Sequence, residues 1–215
     1  MMMLSALGTR SFVKCYEVFE TEFHHFIVMQ NMSEGTLIDL ISRTRIFPVP
    51  EKLARRIIRQ LAFALKTLHE MNIIHRDVKL QNVLVADSGR TFQLADFGSA
   101  VQLASAESTL TSYVGTPGYM PPEMILDKPY GTNADVYSLG SLLYALLSKQ
   151  LPFYDKQNKQ EYFRRVRMEK LDLESDPLTR DRCSSIKNLL SGMLKKNPNK
   201  RLSAAQVLAH PWLRR

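Results

Sequence analysis

Apolar and polar positions divide the chain into short alternating stretches at its start and long helical stretches afterwards. Residues 12–19 and 23–29 are rich in aromatic and β-branched side chains, with the polar Glu20-Thr21-Glu22 between them, which predicts an antiparallel hairpin. Ser33-Glu34-Gly35 ends that pattern, and residues 36–42 predict a short helix. Pro48 and Pro50 mark a turn, and Pro50-Glu51 suits a helix start. From there Leu53, Ile57, Leu61, Ala64, Leu65 and Leu68 recur at spacings of three and four, with Arg55, Arg56, Arg59 and Lys66 mostly on other faces. That is the pattern of a long amphipathic helix ending near Met71-Asn72.

Two apolar runs follow, Val83–Ala86 and Thr91–Leu94, joined by Asp87-Ser88-Gly89-Arg90, a second hairpin signal. Residues 99–112 are polar and hydroxyl-rich and predict a loop. Residues 136–147 are almost wholly apolar, so that helix should be buried on most sides. The remainder alternates helical stretches with Pro- and Asn-containing breaks up to His210-Pro211-Trp212, with no internal repeat. Two strands, helices, a small hairpin, a long loop and more helices give an α+β chain dominated by helix.

Composition narrows the classes. With 215 residues, 45% of them hydrophobic and 23% charged, the chain is an ordinary globular one with material for a sizeable core. No apolar run approaches the roughly 20 residues of a membrane span, and Met1-Met2-Met3-Leu4 lacks the basic and apolar regions of a signal peptide. Cys15 and Cys183 are far apart and lack metal-ligand spacing, as expected of reduced thiols in an intracellular protein, cytoplasmic or nuclear. The net charge of +8 raises nucleic acid or an anionic membrane as partners. The basic residues are dispersed, however: Arg43 to Arg59, then Arg164, Arg165 and Arg167, then Lys195 to Arg201. They read as solvated helix faces, and neither partner is expected.

The chemistry is concentrated in His75-Arg76-Asp77-Val78-Lys79-Leu80-Gln81-Asn82, followed by Asp96-Phe97-Gly98, by the run Gly115-Thr116-Pro117-Gly118-Tyr119-Met120-Pro121-Pro122-Glu123, and by Asp135-Val136-Tyr137-Ser138-Leu139-Gly140. Singly, a D-F-G triplet occurs by chance. In this order and spacing the segments resemble the catalytic loop, metal-binding triplet, activation-segment end and following buried helix of the eukaryotic-type protein kinases. Val78 stands for the usual Leu, and Pro121 for the usual Ala before Pro-Glu. The Gly115–Met120 stretch resembles the NIMA-related and Fused-like kinases. The resemblance runs from about Leu4 to the end. It implies a protein-kinase-like fold, with residues 1–32 the last part of the upper lobe (the end of its helix, two strands and the hinge) and residues 33–215 the helical lower lobe.

The resemblance implies a role for each residue, and each type suits phosphoryl transfer, where positioning and electrostatics dominate. Asp77 would orient the substrate hydroxyl and accept its proton. Lys79 would neutralise the transferred phosphate, and Thr116 would bond both. Lys79 and the G-T-P context of Thr116 mark the Ser/Thr class. Asn82 and Asp96 offer the hard oxygens that Mg²⁺ prefers. ATP would meet Met29 at the gatekeeper position, the hinge backbone of Gln30 and Met32, and Leu84 as the pocket floor, above Leu37, Leu142 and Leu146. Leu4, Cys15, His75 and Phe97 would form a second apolar column, with Gly98 completing the D-F-G triplet. Asp135 would bond the catalytic loop from below, and Glu123 would pair with Arg201. Arg76 suggests regulation by a phosphate on the activation loop, with Ser112 as acceptor, Thr109 and Thr111 as neighbours, and an activating kinase as partner; a merely flexible loop is the competing reading. Protein substrates are implied. Thr36, Gln81 and Ala145 occupy the positions where basic-directed kinases carry acids, so no strong arginine-directed preference is expected.

The family's Gly-rich loop, strand lysine and helix glutamate have no match: Gly8 stands alone and the next glycine is Gly35. Lys14 sits in the context of a later strand, and the glutamate would fall just before Met1. Three readings follow: part of an active kinase, a non-catalytic scaffold or decoy, or a chain completed by another. The catalytic set favours the first. By itself the chain is expected to bind ATP weakly, and the apolar hairpin to favour a partner or aggregation.

Overall fold

The structure is a computed structural model and describes residues 11–153, 158–173 and 183–214. The expected end of the upper-lobe helix, Leu4 included, lies outside them. The first two strands, β1 (Cys15–Glu20) and β2 (His25–Met29), pair antiparallel from Glu20 opposite His25 to Cys15 opposite Met29, with a bulge after Cys15. The first strand is shorter than its apolar run. Phe12 leaves the hairpin, bridges Leu94 and enters the core at 3% exposure.

Helix α1 (Leu37–Thr44) starts on Thr36, whose hydroxyl accepts from the Asp39 amide while Asp39 accepts from the Thr36 amide. Such a capping box contributes about 1 kcal/mol. Helix α2 (Glu51–Glu70) buries the predicted stripe from Ile57 to Leu68, together with Ala54, Ile58 and Ala62, while Leu53 is half-buried. Strand β3 (Ile73–Ile74) leads into the catalytic-loop segment. A single 3-10 turn (Leu80–Asn82) then joins the antiparallel pair β4 (Val83–Ala86) and β5 (Thr91–Leu94).

The hydroxyl-rich stretch predicted as loop contains a further strand, β6 (Val101–Gln102), which pairs with β3. Two residues are too few to show a period, so this pairing comes from the fold. Helix α3 (Pro122–Ile125) is short. Helix α4 (Asn133–Ser148) is buried from Ala134 to Ser148 on every side, as its unbroken apolar run predicts. Helices α5 (Lys159–Met168), α6 (Ser184–Met193), α7 (Ala204–Ala209) and α8 (Pro211–Arg214) complete the lower part.

One core joins α2, α4, α6 and the β4–β5 pair, from Ile57 and Leu65 to Leu142, Leu190 and Trp212. Each such side chain contributes about 1.5–3 kcal/mol when removed from water. Helices α4 and α6 meet at Gly140, where a Cβ would lie 2.9 Å from that of Met193. Trp212 is fully buried, donates its indole N–H to Glu51 at 2.9 Å and so ties the chain's last helix to the start of α2.

Candidate active site

Asp77 stands on the turn between β3 and the 3-10 segment, and three side chains bond its carboxylate. Lys79 Nζ donates to one oxygen at 2.6 Å, where Asn82 Nδ2 joins it at 3.0 Å, and the Thr116 hydroxyl donates to the other at 2.7 Å; Asn82 Nδ2 also donates to the Asp77 carbonyl at 2.9 Å. One acceptor site of the carboxylate is left over. Lys79 also donates to Thr116 Oγ1 at 2.9 Å, closing a ring of three side chains from two distant segments. Burial pushes the Asp77 carboxyl up, but the bonds from Lys79 and Thr116 outweigh it and hold the group below its ordinary value. Asp77 is therefore an anion at neutral pH.

Gly115 lets the Thr116 segment approach. Its φ is +118°, and a Cβ there would lie 2.8 Å from the Arg76 carbonyl. The loop also needs a left-handed backbone at Arg76 (φ 70°) and at Asp96 (φ 58°), which other contacts must hold in place.

Asp135 supplies much of that hold. Fully buried at the start of α4, it accepts from the His75 amide at 2.9 Å, the Arg76 amide at 2.8 Å and His69 Nε2 at 2.9 Å. Burial pushes its carboxyl up, and the bond and charge of His69 pull it below the ordinary value. His75, also buried, bonds the Ala95 carbonyl through Nε2 at 3.0 Å, while the Asp77 amide donates to its Nδ1 at 3.3 Å. These partners fix the Nε2–H tautomer. Burial lowers its pKa.

Phe97 packs edge-on against His75, with ring centroids 5.0 Å apart, and against Phe12 at 5.8 Å. Of the expected column, His75 and Phe97 are in contact, and Phe12, expected in the first strand, packs with them; Cys15 is buried.

Asn82 and Asp96 lie side by side, because the Ala95 amide donates to the Asn82 carbonyl at 2.9 Å. The Asn82 amide nitrogen is occupied by Asp77, which leaves Oδ1 as an open oxygen. The Asp96 carboxylate is exposed, and one of its oxygens accepts from the Gly98 amide at 3.2 Å. Among the described residues no group of three or more His, Cys, Asp or Glu forms a dedicated metal cage. An amide oxygen and a carboxylate on adjoining segments are the hard donor types that suit a cation such as Mg²⁺, which keeps waters and takes phosphate oxygens for its remaining positions.

Beside them, Leu84 packs with Val13, Met32 and Ala95, while Leu37, Leu142 and Leu146 belong to the main core. In the hinge segment the Gln30 amide bonds the Lys14 carbonyl and the Met32 carbonyl bonds the Gly35 amide. The Gln30 carbonyl and Met32 N–H bond no other backbone group among the described residues. Met29 is 41% exposed beside them.

Two further arrangements frame the site. Glu123 and Arg201, both 4% exposed, form a bidentate pair at 2.6 and 2.9 Å, and the guanidinium also bonds the Lys195 and Asn133 carbonyls and lies over the Tyr137 ring. Arg76 reaches the activation stretch, bonding the Ser99 carbonyl and Ser112 Oγ, the latter at 2.8 Å. Ser112 is exposed, and Tyr130, buried, bonds both its hydroxyl and its carbonyl at 3.0 Å.

The sequence reading missed His69 and Tyr130. His69 sits in the last turn of an amphipathic helix, and Tyr130 lies in a Pro-Tyr-Gly break. Neither position carries a periodic signal. Thr36, expected near the substrate, is the helix cap, Gln81 is exposed and Ala145 is buried.

A carboxylate bonded by a lysine and a hydroxyl, with Asn82 and Asp96 close to it in the chain and an apolar cluster beside the hinge, supplies the residue types that phosphoryl transfer calls for. The family model described as the protein kinase domain matches residues 1–213, and the chain belongs to the protein kinase family. Among its relatives is the mouse (Mus musculus) serine/threonine-protein kinase DCLK3, 36% identical over 216 residues; the match covers 99% of this chain and 27% of the relative. The chain thus spans about a quarter of the length of that relative. This family generally uses ATP and Mg²⁺. No helix among the described residues is long and apolar enough to cross a membrane.

Proposed function

We propose that the chain is a Ser/Thr protein kinase catalytic domain that transfers the γ-phosphoryl group of ATP to a Ser or Thr hydroxyl of a protein. The ring of Asp77, Lys79 and Thr116 carries the reading. Asp77, held anionic, accepts a hydrogen bond from the substrate hydroxyl, aims it at the phosphorus and takes its proton as the bond to phosphorus forms and the bond from phosphorus to the departing ADP oxygen breaks. A depressed pKa makes it a weak base, so aiming outweighs proton abstraction, as suits a loose transition state. Lys79 sets a positive charge beside the transferred group. Thr116, bonded to both, fixes their separation and is the natural support for a small hydroxyl substrate. Asn82 Oδ1 and the Asp96 carboxylate would hold Mg²⁺, which supplies charge neutralisation on the phosphates. The Gln30 carbonyl and Met32 N–H would take the adenine edge above Leu84.

The test is transfer of label from radiolabelled ATP, at concentrations that saturate a weak site, to a basic protein substrate. Labelled serine or threonine is expected, falling by about 10²–10⁴ with Asp77→Asn. Equal labelling by the wild-type and Asp77→Asn chains would count against it.

A second reading, a non-catalytic scaffold or decoy, is favoured by the apolar hairpin, where Phe23 is 79% and Tyr16 56% exposed. It gains ground if ATP binds and no transfer follows.

Regulation belongs to the same proposal. Phosphate on Ser112 would meet Arg76 at the distance its hydroxyl now occupies and would order the activation stretch, with a separate kinase as donor. Ser112→Ala, with Thr109→Ala and Thr111→Ala, should lower activity several-fold; unchanged activity would leave the stretch as merely flexible. Within the family, the likeness of Gly115–Met120 to NIMA-related and Fused-like kinases is a finer reading, and a phylogeny of full kinase domains decides it.

A further inference from the structure

Four of the basic residues read from the sequence as solvated helix faces share a groove with a fifth from another element. Lys52, Arg55, Arg56 and Arg59 occupy positions i, i+3, i+4 and i+7 of α2 and share one face. Arg90 joins them from the β4–β5 turn, and the five line a groove of about 600 Å³. Gln60 holds the two elements together, donating to the Arg90 carbonyl at 2.9 Å and accepting from the Phe92 amide at 2.8 Å.

Like charges four residues apart destabilise a helix. Two cations of α2 are offset by acids, Lys66 by Glu70 at 2.6 Å and Arg55 by Glu51 at 2.8 Å. Lys52, Arg56 and Arg90 have no acidic partner among the described residues. Arg59 and Gln60 also line the adjoining cavity of about 780 Å³, whose wall adds Phe63, Leu208, Leu213 and Arg214. Phe63 is 47% exposed there. A charged trough therefore continues into one where apolar side chains join the cations.

We infer that this groove docks an acidic segment of a partner protein, glutamates or aspartates against Lys52, Arg56 and Arg90, with an apolar side chain following against Phe63. Charge complementarity selects an acidic partner. Phe63, Leu208 and Leu213 beyond the cations favour a peptide, which can follow its acids with an apolar side chain, and a concave trough is poorly shaped for a membrane surface. Arg55 contributes less, since Glu51 and the Trp212 ring already hold its guanidinium. The surface lies on α2 and the β4–β5 turn, apart from Asp77, so the inference is independent of whether the chain transfers phosphate.

Fluorescence anisotropy with the 215-residue chain tests it, using a short labelled peptide of consecutive glutamates followed by Leu-Phe. Binding that weakens with salt is expected. Arg56→Glu with Arg90→Glu should weaken it about tenfold or more, while circular dichroism reports an unchanged melting temperature. Phe63→Ser should weaken the Leu-Phe peptide several-fold and leave an all-glutamate peptide unaffected. Binding of a lysine-for-glutamate peptide with equal affinity, indifference to the double charge reversal, or preference for an oligothymidylate or phosphatidylserine vesicles over the peptide would each overturn the proposal.

Discussion

The β1–β2 hairpin and the catalytic loop are both short, irregular-sequence neighbours of the same core, yet they are held in opposite ways. In the hairpin, Val18, Phe19, Phe26, Ile27, Val28 and Met29 are all more than 40% exposed, and among the described residues Phe19 stacks on Phe26 across the pair at 4.9 Å. In the catalytic loop almost every polar group is paired. Asp135 alone collects two amides and a histidine, and Asp77 collects three side chains. Apolar character by itself did not make the hairpin part of the core. Position over α2 and α4 let the loop, though polar, become one of the most constrained parts of the molecule.

The contrast breaks most clearly at a buried charge. Arg201→Ala leaves Glu123 buried without its partner, and urea unfolding should show a loss of about 3–5 kcal/mol. A loss within about 1 kcal/mol would mean that this region is held no more firmly than the hairpin.

Acid sharpens the comparison next. An unfolded histidine protonates near its ordinary value of 6.5, whereas buried His75 resists until lower pH, so below 6.5 the unfolded state binds more protons. Its contribution is complete above pH 6.5 and declines as pH falls through the folded value. The carboxyls of Asp77 and Asp135, held below their ordinary 3.8, keep their contribution above that value and lose it only at lower pH. Unfolding free energy should therefore fall in two stages as pH drops, and His75→Gln should flatten the first. A variant with the parent's slope between pH 6.5 and 4 would assign that stage to other groups, such as His210, whose pKa burial also lowers.

The smallest effect belongs to the hairpin. Phe19→Thr with Phe26→Thr should change unfolding free energy by no more than about 1 kcal/mol, the scale of one cross-strand pair, while reducing hydrophobic-dye binding and self-association. A change well above that would make the hairpin part of the cooperative core.

Local order carried much of this into the sequence. The stripe of α2 and the unbroken apolar run of α4 were legible because a helix repeats its facing every three to four residues, and both elements have the length to show it. The catalytic set was legible because Asp77, Lys79 and Asn82 lie within one turn of chain, and because Asp96, Thr116 and Asp135 follow in recognisable segments. The pairing of β3 with β6 was not, since two-residue strands have no period. Nor were His69 beneath Asp135 or Tyr130 against Ser112, each contact joining residues that chain order keeps well apart.

The sequence by itself determined the helical framework, the kinase family and the identity of the chemical groups, because these depend on local periodicity and on short ordered motifs. Tertiary structure decided what surrounds them. It drew Phe12 out of its strand and onto Phe97, left the hairpin's apolar residues largely exposed among the described residues, and set Arg90 beside the basic face of α2. Each of these outcomes depends on which distant elements meet, and on whether burial there is matched by a partner. No pattern within a single element records that.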